Sequence, residues 1–527
     1  MFGVTIIGLR RNTKALTHVC TFAVLIMAVV VSSACRATAT TNDSAHAMVA
    51  KSIAIVGIHG DLRALGSMKV TTQYVDFDIV ENDHSGPPYY AAFGSATITE
   101  DFPNHRVLTE TTSPAGVNRM LQTRDDAQTI QIRGGKQSAV VAAVPLPSWE
   151  TRNPVRALLL ADLGDDLVRD KDVVWHDALQ HVVRFHNGRY AVKIFIDAFT
   201  YLPTATEAVV DFHQVTSTDV AWNAWGDVVE RTEYMNWNIV DGIRYPFQWD
   251  ISRNGDVIRT ITITEAHTNV LLDTDAFALL PETSARVAAL RRMSVDDLPL
   301  GQPVEGAPAP NRPTAEIAPG IVQIPNSWYV TLVRQSDGIV VIDAPISAGY
   351  SRRVFDKAAR RFPAVPIKAV ITSTGFFWHM AGVREYAARG IPIYVCDRNV
   401  DTLHRLLAAP HTLRPDDLAR KAKVSLNLHP VSARTVIGAG HNMLVLFPIR
   451  QATQSMVMTY IPDAHLLHTA EAVLPLGPNG SFLSPESLLE ISYAVRDAGI
   501  TVDQIIGMHM SPTPWSKVAD TLHASGL

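Results

Sequence analysis

Between residues 286 and 319 the chain changes character, and that break limits it to two differently built halves. Pro299, Pro303, Pro308, Pro310 and Pro313 punctuate a run of small residues, which reads as an extended linker stiffened by its prolines. Before the break, over 51–285, apolar residues recur at every second position, the period of a half-buried strand. After it, over 320–527, short apolar runs alternate with stretches of helical period. The expectation is an α+β chain of two domains, an antiparallel β-sheet followed by a unit of alternating strands and helices.

The first half carries the stronger local signals. Val75, Phe77 and Ile79 alternate with Asp76 and Asp78. Asn187-Gly188, Asp241-Gly242 and Asn254-Gly255 each separate two strand-like runs. Such pairs mark tight hairpins, because both turn residues need positive φ. Successive hairpins predict one large antiparallel sheet, and residues 154–168 predict a helix that covers a face of it. From Tyr234 to Leu280 the cadence Val240 to Pro246, then a hairpin, then Asn269 and Phe277, resembles the lipoprotein-carrier (LolA-like) half-barrels. That resemblance implies an apolar concave face for acyl chains or hydrophobic peptides. Trp222, Trp225, Trp237 and Trp249 either line such a face or are plain sheet core.

The N-terminus reads as an export signal over 1–35. Arg10, Arg11 and Lys14 precede twelve apolar residues from Cys20 to Val31. A bilayer span needs about 20 residues, so the run fits a signal-peptide core better. Ser32-Ser33-Ala34-Cys35 resembles a bacterial lipobox, which would make Cys35 the lipidated residue; Ala37-Thr38-Ala39 offers ordinary cleavage instead. Residues 36–50 then read as a flexible tether. The expected location is the periplasm or outer membrane as a lipoprotein, or the medium, with membrane contact only through the lipid. Of three cysteines, only Cys396 lies beyond this segment, so no disulfide forms within the mature chain, and Cys396 reads as a core thiol. A formal net charge of −5 gives no basic excess for a nucleic-acid partner.

In the second half, residues 338–343 and 368–371 read as buried strands, and 351–362 as an amphipathic helix between them. The second strand runs into Thr374, Phe376, Trp378 and His379, followed by Ala381-Gly382 and Tyr386. This frame resembles the metallo-β-lactamase-fold hydrolases, an αββα sandwich that holds two metal ions at one edge. The family places His where Thr374 and Phe376 stand, Asp where Trp378 stands, and His at 379. Further landmarks agree: the strand ending at Asp343, Tyr460-Ile461-Pro462, and the final His509. Ala452 stands where the family has another His, and Glu471 where it has the bridging Asp.

The resemblance implies that the three-His site is gone with Thr374, Phe376 and Ala452. The other site has lost its Asp to Trp378 but keeps His379 and His509, with Glu471 in place of the bridge. Two His and one carboxylate are a ligand set that holds one zinc with an open position. The alternative is that aromatic side chains fill the pocket and leave both histidines as relics. The cofactor expectation is therefore none, or at most one zinc. His465 and His468, three apart on a short strand, are expected on opposite faces. Two functions stay open: a non-catalytic binding protein, or pseudo-hydrolase, for a small or hydrophobic molecule; and a one-metal hydrolase of an ester, lactone or similar small substrate.

Overall fold

The computed structural model describes residues 44–527, apart from 59, 82–85, 114–115, 125–127, 134–135, 144–146, 216–219, parts of 279–292, 305–311, 422–423, 452–454, 477–480 and 483–484. The signal segment with Cys35, the first part of the tether and Ala452 lie outside the described residues.

Hairpin chemistry builds the first half into one sheet of fourteen strands. From an edge at Lys136–Ala143 it runs back through Gln128–Arg133, Gly116–Thr123, Arg106–Ser113 and Tyr90–Asp101 to Ser67–Asp78. There the first strand pairs antiparallel with the last, Asp256–Thr268, with Met68 opposite Thr268. The sheet continues through Ile243–Arg253, Val228–Val240, Pro203–Val210, Tyr190–Asp197 and Ala178–Asn187. Asp241 and Gly242 (φ 45° and 87°) and Asn254 and Gly255 (φ 51° and 92°) form the two-residue turns their sequence predicts. The third hairpin differs. Asn187 pairs with Tyr190, so Gly188 (φ 61°) and Arg189 make the turn. The helix Pro154–Asp162 is capped by the Asn153 side chain, which accepts the Val155 N–H at 2.9 Å, and ends earlier than the sequence suggests.

The second half has the layering of two helix-backed sheets face to face. One sheet orders Ala315–Ala318, Ile321–Ile324, Val330–Arg334, Ile339–Ile342, Ile367–Thr372, Ile393–Cys396 and Leu428–Val431, antiparallel up to Ile339–Ile342 and parallel after it. The other orders Thr435–Ile437, Leu444–Ile449, Met456–Ile461, Leu466–His468, Gln504–Gly507 and Met510–Pro514. Alternation decides which side chains meet. Val340, Ile342, Ala369 and Ile371 point inward to Leu444, Leu446, Val457 and Ile461. Their neighbours Ile339, Val341 and Val370 point outward to Tyr350, Val354 and Ala358 of the helix Ala348–Arg361. On the far side Val445, Met456 and Met458 meet Leu488, Ile491, Val518 and Leu522 of the two C-terminal helices. Cys396 is fully buried between the sheets.

Two boundaries move. Residues 44–56 are helical rather than tether. Ala45, Val49, Ile53 and Val56 recur at helical spacing and are buried against the sheet, a stripe hidden among small residues. The described part of the linker is packed as well. Val295, Leu298 and Val304 are buried, Ser347 Oγ donates to the Val295 carbonyl at 3.1 Å, and Ala315–Ala318 already belongs to the sandwich. Its apolar residues outweigh the extending effect of its prolines. Through this segment one continuous apolar core runs from the large sheet into the sandwich.

Candidate metal centre

The strand Ile367–Thr372 delivers the site. Beyond its end, Ser373 is locked to Asp343: the Ser373 N–H donates at 2.7 Å and its hydroxyl at 2.9 Å. Asp343 is itself held at φ 70°, and complete burial pushes its carboxyl up to about 7. Thr374 follows, then a short helix, Phe377–Met380. Gly382 then closes the turn, its N–H on the Ala344 carbonyl at 2.7 Å; a Cβ there would meet Ser351 Oγ at 2.2 Å, so the backbones approach only because it is glycine.

His379, Glu471 and His509 converge, with ligand atoms all within 4.8 Å of one another. His509 Nε2 lies 3.0 Å from Glu471 Oε1 in a hydrogen bond. His379 Nε2 lies 3.1 Å from Glu471 Oε2, yet both atoms are buried and neither completes a hydrogen bond. The two atoms are within ion-pair distance but not aligned for a hydrogen bond, so they touch without one. Behind His379, Nδ1 lies 2.6 Å from Thr374 Oγ1, which also accepts the Phe376 N–H at 3.2 Å. Burial pushes His379 down to about 4. Glu471 is buried too, but His379 and His509 hold its carboxyl below the usual range. His509 is raised despite its burial, by its hydrogen bond to Glu471.

Those donors fit one zinc. Separations of 3.0 and 3.1 Å are a few tenths of an ångström short of the roughly 3.3–3.6 Å between tetrahedral ligands that each stand about 2.0–2.2 Å from a shared ion, so a small spreading of the side chains would admit one. In the tautomer whose Nδ1–H donates to Thr374 Oγ1, Nε2 of His379 is the lone-pair nitrogen that a metal needs. Among the described residues no three-His set accompanies this group. Thr374 and Phe376, where that set would begin, are a hydroxyl and a ring. Trp378 stacks on Trp328 at 4.6 Å, Trp328 meets His509 edge-on at 6.2 Å, and Phe376 leans on His379 at 5.5 Å. Aromatic bulk thus lines the site without displacing its three donors.

The structure adds residues that sequence spacing does not single out. Glu81 comes from the far end of the strand Ser67–Asp78, where Asp78 Oδ1 accepts the Val80 and Glu81 N–H groups at 3.0 Å. The Phe377 N–H donates to the Val80 carbonyl at 3.2 Å, which docks this loop on the motif. Burial and the neighbouring Glu471 push the Glu81 carboxyl up to about 8. No motif announces a residue delivered by the other half of the chain. His468 lies beneath the centre, fully buried, with Nε2 3.5 Å from Asp343 Oδ2, while His465 leaves the strand at φ 44° and pairs with Asp503 at the surface. The two histidines therefore do not share a strand as expected: the strand begins at Leu466, and His465 sits in the turn before it. Trp222 and Trp225 belong to a short 3₁₀ helix, Val220–Trp225, and pack against Phe377 rather than lining a sheet face. Trp249 is buried in the sheet core.

No family model matches the chain, and no curated protein matches it. Among solved structures, metallo-β-lactamase-fold proteins are similar to it in part. The sec-alkylsulfatase Pisa1 from Pseudomonas sp. is 17% identical over 40% of this chain and 41% of its own, with a TM-score of 0.31. The metallo-β-lactamase from Pontibacter korlensis is 12% identical over 40% of this chain and 96% of its own, also at 0.31. The mono-zinc form of FIM-1 from Pseudomonas aeruginosa is 13% identical over 41% and 97%, again at 0.31. The chain spans 41% of the length of the alkylsulfatase it matches.

Proposed function

We propose that this chain is a metallo-β-lactamase-like protein that has lost two-metal hydrolysis and keeps a site for one zinc, held by His379, Glu471 and His509. The observation that carries this reading is the unbonded 3.1 Å contact between His379 Nε2 and Glu471 Oε2. Leaving buried polar atoms unpaired costs about 1–3 kcal/mol each, and a shared cation would satisfy both. A bound zinc supplies Lewis acidity toward a substrate carbonyl or phosphoryl oxygen and lowers the pKa of bound water. The chain's own residues do the rest. Thr374 orients the His379 ring, Glu471 neutralises charge between two imidazoles, and Trp328, Trp378 and Phe376 narrow the water-accessible space. Substrates in this reading are small esters, lactones or similar compounds.

A second reading, a binding protein without turnover, is supported by the same aromatic packing, since a stacked Trp328–Trp378 pair leaves little room to activate water. In that reading the N-terminal sheet is a LolA-like carrier surface for a hydrophobic molecule. Zinc analysis with turnover assays separates the two: one zinc with hydrolysis supports the first, no zinc and no hydrolysis supports the second. We further propose export, with Cys35 as the lipid anchor; Cys35→Ala is expected to release the protein from the membrane fraction. Among the described residues no helix is long and apolar enough to cross a membrane.

A further inference from the structure

A cavity of about 330 Å³ lies between the large sheet and the sandwich, beside the helix that carries His379. Ile79, Val80, Trp222, Trp225 and Phe377 make its apolar walls. Phe377 meets the two indoles edge-on, at 5.6 and 5.2 Å. Most of the polar lining is already engaged. Asp227, only 6% exposed, accepts the N–H of Thr412 at 2.8 Å, the Thr412 hydroxyl at 2.5 Å and the N–H of Leu413 at 3.0 Å. Asn254 accepts from the Val229 N–H, and Asn399 donates to the Ser455 carbonyl.

One cation remains unspent. The Arg405 guanidinium, in the cavity wall, lies over the Trp225 ring at 5.7 Å and forms no ion pair among the described residues. The Trp225 Nε1–H is buried without contact to the open space, so Trp225 offers the cavity only its apolar ring. An unpaired guanidinium beside an apolar cavity asks for one anionic acceptor. Asp256, also in the wall, disfavours a second anionic group. The volume is at the small end for ligand pockets, about 300–1,000 Å³.

We propose that this cavity binds a small amphipathic monocarboxylate, its apolar ring or short acyl body between Trp222, Trp225 and Phe377 and its carboxylate on Arg405. This site is separate from the metal centre and stands whether or not zinc binds there.

The test is calorimetric titration of the full chain with 1-naphthylacetate and, as an uncharged match, 1-naphthaleneethanol. The acid is expected to bind saturably and the alcohol about tenfold more weakly, the size of one charge-assisted hydrogen bond. Arg405→Ala should cost the acid a similar factor, and Arg405→Lys should restore part of it. Arg405 is exposed, so both changes leave the core intact. Binding should persist in EDTA. Equal affinity for acid and alcohol, no saturable binding at millimolar acid, or an unaffected Arg405→Ala variant would overturn the proposal. So would loss of binding in EDTA, which would put the acid on the metal instead.

Discussion

His379 Nε2 and Glu471 Oε2 stand 3.1 Å apart, buried, and unbonded to each other or to any other group. The neighbouring contact, His509 Nε2 to Glu471 Oε1 at 3.0 Å, is a proper hydrogen bond. One carboxylate therefore faces two imidazoles in two different ways. A cation between them would convert the first contact and compete with the second. Purified protein loaded with zinc and dialysed is expected to hold one ion per chain. Glu471→Gln and His509→Ala should each lower that to near zero by elemental analysis. Two ions per chain would mean that the ligand positions have been misread.

Thr374 tests positioning rather than ligation. Its hydroxyl oxygen serves both His379 Nδ1 and the Phe376 N–H. Thr374→Val keeps the shape and removes both bonds. The expected cost is about 1–3 kcal/mol of stability, with zinc affinity lower by about 10–100-fold, as for other second-layer partners of metal-bound histidine. Thr374→Ser should recover most of the affinity. Unchanged zinc binding in the valine variant would show that the ring needs no such support.

Metal-free protein should be acid-sensitive for a reason that can be read from two histidines. Burial lowers His379 to about 4 and His468 to about 3, from the usual 6.5. The folded state then binds fewer protons than the unfolded chain, so stability is present above pH 6.5 and is lost as pH falls towards 4. Asp343 works the other way, because burial raises it to about 7 and the folded state keeps its proton longer. Glu81, raised to about 8, is a second carboxyl of this kind, and His411, which burial lowers to about 4, is a third imidazole. Three imidazoles against two carboxyls leave a positive net slope between about pH 4.5 and 6, to which the depressed Glu471 adds at the acid end. Above that window Asp343, Glu81 and the raised His509 turn the slope negative. Melting temperatures in EDTA should therefore climb from pH 4.5 to about 6 and decline towards pH 8. A curve that falls across the acid window would contradict the burial argument.

Local chemistry made much of this legible in advance. Asp241-Gly242 and Asn254-Gly255 set their turns because only such residues take positive φ cheaply, and the alternation in 339–342 set both faces of a buried strand. His379, Glu471 and His509 could be singled out because the frame that resembles the metallo-β-lactamase fold places each of them just past the end of a strand. Long-range packing was not visible. Val295, Leu298 and Val304 look like residues of a proline-rich spacer until the surface that buries them is known. Glu81 reaches the metal centre from a strand about 300 residues away in sequence from the motif it joins, and no period or spacing encodes that meeting. The turn at Asn187 shifted by one residue, since Gly188 alone supplies the needed φ.

The contact between the halves supplies the last prediction. Asp227, at the start of the strand Val228–Val240, has one oxygen on the Thr412 N–H and hydroxyl and the other on the Leu413 N–H. Its own N–H donates to the Pro410 carbonyl at 2.8 Å, so the loop after the helix Val400–Ala408 is clamped to the large sheet. Asp227→Ala strands two backbone donors and a hydroxyl at a buried position, which should cost about 3 kcal/mol. Because one apolar core continues through Val295 and Leu298 into the sandwich, that loss should lower a single transition rather than uncouple two. Wild type and variant are expected to unfold in urea with coincident fluorescence and circular-dichroism curves, the variant at a lower midpoint and with the same slope. Two separated transitions in the variant would instead mean that the large sheet and the sandwich fold as independent domains that this carboxylate merely ties together.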